Sequence, residues 1–127
     1  MSHGTARPAA TAEAEHLPPD LATMRATARR LLADDAEPPS PEELETLTLT
    51  LRGHMMVAIP AVEIAASRLP EDDVPRACAL ACIGEARMRL RLEPGRTLPA
   101  GMAHAQRLAR SVNALADHCE NLSSTHD

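Results

Sequence analysis

Residues Leu51–Gly95 read LRGHMMVAIPAVEIAASRLPEDDVPRACALACIGEARMRLRLEPG, and they decide what kind of fold this chain can make. They spell two long apolar helices joined by a short acidic turn. Into the first runs a stripe at helical spacing, made of Leu44, Leu47, Leu51, Met55, Ala58, Val62, Ala65 and Leu69. Between His54 and Ala66 the other faces fill too, with Met56, Val57, Ile59 and Ile64. In the second helix, Val74, Cys78, Ala81, Met88 and Leu92 share one face, and Ala79, Ile83, Ala86 and Leu90 share the opposite one. A helix that is apolar all round is ordinarily buried. The small residues Ala77, Ala81 and Gly84 would admit a neighbouring backbone at close range.

The turn is legible. Leu69-Pro70 ends the first helix, because proline disfavours the α conformation in the residue before it. Asp72 or Asp73 caps the second, with Pro75 tolerated in its first turn. Arg87, Arg89 and Arg91 suit the negative end of that helix's dipole, and Glu93-Pro94-Gly95 stops it.

Outward from this hairpin, Asp20 predicts a cap for a helix over Leu21–Ala33, with Leu21, Met24, Ala28, Leu31 and Leu32 inward and Arg25, Arg29 and Arg30 outward. Ser40-Pro41-Glu42-Glu43 is a strong start for the hairpin's first helix. That helix should run to about Leu69 and kink at Pro60, which removes a hydrogen bond and crowds the preceding turn. The hairpin's second helix should span about Asp73 to Leu92. A last helix, about Pro99 to Leu122, is amphipathic, with Ala105, Leu108, Ala109, Val112, Leu115, Ala116, Cys119 and Leu122 on one face. It reads as a lid on the surface of the bundle. Residues 1–19 hold too little apolar surface to order and read as a disordered tail, 20–122 as one helical domain, and 123–127 as a frayed end.

With 127 residues the chain supports one modest domain. It has no Phe, Tyr or Trp. A core of Leu, Ala, Met, Val and Ile suits close-packed helices better than sheets, and no window alternates with period two. The predicted fold class is all-α: a four-helix, bundle-like domain with a long kinked second helix. The net charge of −5 gives no general attraction to nucleic acid or anionic lipid. Every one of the 13 basic residues is Arg, a bias that suggests a GC-rich, actinobacterial source. Three cysteines argue against a disulfide framework. There is no secretory segment, and Pro60 interrupts the longest apolar stretch short of a membrane span. These features predict a cytoplasmic protein with reduced thiols.

Chemistry-bearing motifs are sparse. Cys78, Cys82, Cys119, His54, His104 and His118 are ligand types without a zinc pattern, so no metal and no cofactor is expected. Cys82 or Cys119 as a nucleophile would need an electropositive, partly exposed setting. Arg87, Arg89, Arg91 and Arg96 form a basic cluster, but there are no aromatics for bases to stack on, which argues against nucleic acid. Glu85 stands in the middle of the Val74–Met88 face, where a carboxylate must be paired, protonated or facing a cavity. Arg89 lies one turn on, and His54 and Glu63 come from the other helix. His54, Glu63, Glu85 and Arg89 are therefore the candidate interhelical pocket, with a structural ion pair as the plainer reading. His104, Ser111 and His118 line one edge of the last helix, as a seam or as a solvated edge.

The runs LRGHMMVAIPAVE, RLPEDDVPRACALACIGEARMRL and HAQRLARSVNALADHCENL resemble a family of small actinobacterial proteins labelled natural product biosynthesis proteins. The resemblance rests on LRGH, LPEDDVPRACAL and DHCENL and spans about Leu44 to Leu122. It implies association with specialised-metabolite gene clusters and carries no activity and no catalytic residues. An aromatic expected near Cys119 is missing here. The leading functional expectation is a non-enzymatic accessory or regulatory protein acting through helical surfaces. The alternatives are a small-molecule-binding protein or cofactor-free enzyme built on Glu85 and His54, and a nucleic-acid-binding regulator. A short first helix and a single-faced last helix should leave Met56, Ile59, Ile64, Ile83 and Leu90 uncovered, which predicts a homodimer or a helical partner.

Overall fold

A computed structural model describes residues 18–126, with side chains through Ser123. Residues 1–17, most of the predicted tail, and Asp127 lie outside the described residues. The described chain is four helices: α1 (Leu21–Leu32), α2 (Pro41–Ser67), α3 (Val74–Arg91) and α4 (Leu98–His126). No strand occurs among the described residues.

The helix starts follow local chemistry. The Asp20 carboxylate accepts from the Thr23 N–H at 3.0 Å and from the Thr23 hydroxyl at 2.7 Å, satisfying orphan donors of α1. The Ser40 hydroxyl accepts from the Glu43 N–H at 3.1 Å, with Pro41 in the first turn. Of the two candidate caps for α3, Asp73 is the one used, accepting from the Arg76 N–H at 3.0 Å. Thr97 caps α4 through the Ala100 N–H at 3.1 Å. Gly95 makes the α3–α4 turn with φ +86°, a conformation that favours glycine, and a Cβ there would stand 2.8 Å from that of Ala100.

Pro60 does not interrupt α2, which runs on to Ser67. Proline leaves the Met56 carbonyl without its helical donor. Met56 and Pro60 are both exposed, so water is at hand for that carbonyl. Uninterrupted, α2 is long and apolar enough to cross a membrane by length and composition alone, contrary to expectation. Its inner side, with Leu51, Met55 and Val62 fully buried, packs into the bundle.

The main correction concerns α4. It is the hub of the fold, packing against each of the other three helices, and not a surface lid. Ala105, Leu108, Ala109, Val112, Leu115 and Ala116 are all fully buried. His104 and Ser111 extend the buried arc on one side, so two of the three residues on the edge read as a seam or solvated lie inside, and His118 is half-buried. The helix also continues to His126, through most of the segment expected to fray. Facing α4, α2 contributes Leu51, Met55, Ala58, Ile59 and Val62, and α1 contributes Met24, Ala28 and Leu31.

Charged side chains tie the helices together. Arg30 of α1 forks onto Glu43 of α2, with both bonds at 2.8 Å, and also donates to the Glu37 carbonyl. This is the bidentate geometry that makes such pairs strong. Arg25 of α1 reaches Asp117 and Glu120 of α4 at 2.8 and 2.9 Å. Both arginines had been assigned an outward orientation.

Candidate functional site

The orientation of α3 decides the site. The buried face carries Ala79, Ile83 and Ala86, while Val74, Cys78, Ala81, Glu85, Met88 and Leu92 point to solvent. The sequence reading expected both faces to be covered, with Glu85 paired or facing a cavity. Glu85 itself was the overlooked signal, because an unburied carboxylate at the centre of a face marks the solvent side. Ala77, Ala81 and Gly84 follow the same correction, and nothing lies within 4 Å of a Cβ built at Gly84.

The four residues assigned to an interhelical pocket do not assemble into one. Glu85 is 57% exposed and pairs with Arg89 of its own helix at 3.6 Å. Glu63 of α2 pairs with Arg87 of α3 at 3.1 Å on the surface. His54 turns to α1, where its Nε2 lies 3.1 Å from the Thr27 hydroxyl. Burial holds its pKa below the usual histidine range, partly offset by the Asp20 charge. Arg89 has a different duty: it crosses to α4, donating to Ser111 Oγ at 2.9 Å and to the Arg107 carbonyl at 3.1 Å. Of the basic cluster, Arg87 is thus taken up in an ion pair and Arg89 in helix packing.

The three cysteines are free thiols. Burial pushes both Cys82 and Cys119 upward in pKa, and the Glu85 charge adds to the effect at Cys82. That is the reverse of what an activated nucleophile needs. Among the described residues no three His, Cys, Asp or Glu side chains cluster as a metal site would require.

Part of what the fold leaves in solvent is apolar. Of nine exposed large hydrophobic side chains, Leu49, Met56, Val57 and Ile64 lie on α2, and Val74, Leu80 and Met88 on α3. From Thr46 to Ser67 the only exposed charge on α2 is Glu63, and Arg87 neutralises it. The outer surfaces of α1 and α4 differ: Arg29, Arg107, Arg110, Asp117 and Glu120 are exposed there. Of the five residues expected on an uncovered patch, Met56 and Ile64 are exposed. Ile59 and Ile83 are buried at 5% and 2%, and Leu90 is half-buried against the core. They belong to the inner faces that α4 covers.

A family model described as a family of unknown function (DUF6415) matches residues 22–124. The chain belongs to the DUF6415 family. The matched span takes in α1 as well as the hairpin and most of α4, so the DUF6415 unit coincides with the four-helix unit. No curated protein and no solved structure matches the chain.

Proposed function

We propose that this chain is a non-enzymatic helical protein that works by protein–protein contact, pairing with a second copy of itself through the outward side of the α2–α3 hairpin. The observation that carries this is that seven of the nine exposed large apolar side chains among the described residues lie on those two helices, among the exposed charges Glu63, Glu85, Arg87 and Arg91. A contiguous exposed apolar patch marks an interaction site. A second copy suits it because paired helices offer ridges and grooves that pack onto another such pair. A two-fold axis would cover both patches at once. Ala77, Ala81 and Gly84 give the shallow strip along which a partner helix can approach closely. The similarity in LRGH, LPEDDVPRACAL and DHCENL supports an accessory or regulatory role in natural product biosynthesis in an actinobacterial cytoplasm.

Light scattering at micromolar concentration tests the proposal. A dimeric mass is expected, with Met56→Arg and Met88→Arg each giving a monomer of unchanged helical circular dichroism. A wild-type monomer that binds no hydrophobic dye overturns it.

A further inference from the structure

On the opposite end of the fold from the α2–α3 turn, the first half of α2 and the α3–α4 loop enclose a cleft of about 600 Å³. Leu44, Leu49, Pro94 and Leu98 supply apolar walls, and Gly101 and His104 of α4 line it as well. This volume is in the range of small-molecule sites, which are mostly apolar with a few placed polar groups. Three observations converge on it.

First, His104 is 3% exposed, and its Nε2 has no hydrogen-bond partner. A buried polar atom left unpaired is costly, and native folds rarely carry one without reason. Second, Arg52 and Arg96 line the same cleft, and neither makes a hydrogen bond or ion pair among the described residues. Arg29, Arg68, Arg91, Arg107 and Arg110 likewise show no side-chain hydrogen bond or ion pair among the described residues, but none of them lines the cleft. Third, Leu49 and Leu98, at 65% and 53% exposure, are two of the large apolar side chains left in solvent, and both are on its wall. The one acid on the lining, Glu45, is exposed and seven residues before Arg52 on α2, or roughly 10 Å along the helix. It leaves the Arg52–His104 end cationic.

We infer that this cleft binds a small monocarboxylate with an apolar body, its carboxylate at the Arg52–His104 end and its hydrocarbon against Leu44, Leu49 and Leu98. The carboxylate accepts from His104 Nε2–H and from the arginines, and the hydrocarbon covers the exposed leucines. Burial, and then the Arg52 and Arg107 charges nearby, hold the His104 pKa below the usual histidine range. A bound carboxylate opposes both effects and favours the imidazolium. Binding and His104 protonation are therefore coupled, with Arg52, Arg96, Arg107 and Glu45 as the charges facing the site.

The test uses the full chain and two matched pairs of probes: octanoate against 1-octanol, and 4-phenylbutyrate against 4-phenyl-1-butanol. Calorimetry should show at least one carboxylate bound ten-fold or more tightly than its alcohol. His104→Leu and Arg52→Met should each abolish that preference, while Arg110→Met, which removes a charge from the exposed side of α4, should leave it intact. His104→Leu should also raise the melting temperature of the ligand-free protein, because it removes the unpaired nitrogen. NMR titration should show the His104 pKa rising when the carboxylate is bound. Equal affinity for acid and alcohol in both pairs, no binding of either acid at millimolar concentration, or a preference that survives both substitutions would overturn the inference.

Discussion

At the scale of single residues, charge placement separates Glu85 from Arg89. Glu85 makes one long, exposed contact, and such pairs contribute little because water already serves both partners. Glu85→Gln should change stability by no more than about 0.5 kcal/mol in chemical denaturation. Arg89 holds α3 onto α4 through a carbonyl and a buried hydroxyl, so Arg89→Ala should cost about 1–2 kcal/mol in the same assay. Histidines set the response to acid. His54 and His104 both sit below the ordinary value of 6.5, in each case first because of burial. The unfolded chain therefore takes up protons before the folded one, and stability rises with pH in this window. The histidine contribution is fully present above the ordinary histidine range and is lost as pH falls below 6.5 toward the folded values. The melting temperature should drop between neutral pH and about pH 5, with His104→Leu and His54→Gln each flattening the slope. Asp20 does not blur this window, since its Thr23 bonds hold its carboxyl below the ordinary value of 3.8.

At the scale of elements, two glycines with opposite roles test the helix boundaries. Gly95 occupies a left-handed turn with no room for a side chain, so Gly95→Ala should destabilise by about 1–3 kcal/mol. Gly84 is mid-helix with open space around it. Gly84→Ala should stabilise the monomer by about 0.5–1 kcal/mol, from the backbone freedom that glycine loses on folding. Had Gly84 been a point of close helix approach within the bundle, the same substitution would destabilise it, and a measured loss would count against this orientation of α3. The ends of these helices were legible because a cap is a transaction within three or four residues: Asp20, Ser40 and Asp73 each bond an N–H three positions on. The faces of α3 were not, since apolar residues occupy both sides of it.

At the scale of the whole molecule, helix order hides the architecture. α4 comes last and has the cleanest amphipathic pattern, which reads as one covered face on an outer helix. Its apolar arc is instead wide because three helices share it, and the buried His104 and Ser111 are the polar part of that width. Covering α4 from three sides turns the other sides of α2 and α3 to solvent. If a second copy covers them, folding and association are linked, and the melting temperature should rise with protein concentration. Met56→Arg should remove that dependence.

Locally bonded features were determined by the sequence alone: an all-α chain, four helices, the Asp20 and Ser40 caps and the glycine turn. Each depends on residues a few positions apart, and so on energies that a short window contains. Only the tertiary structure decided which side of α3 is the core, that α4 is the centre, and that His104 lines a cleft with Arg52 and Arg96. Those outcomes depend on burial shared among helices distant in sequence. Where a helix is apolar on both sides, its periodicity is equally satisfied by either, and the choice falls to the packing of its neighbours.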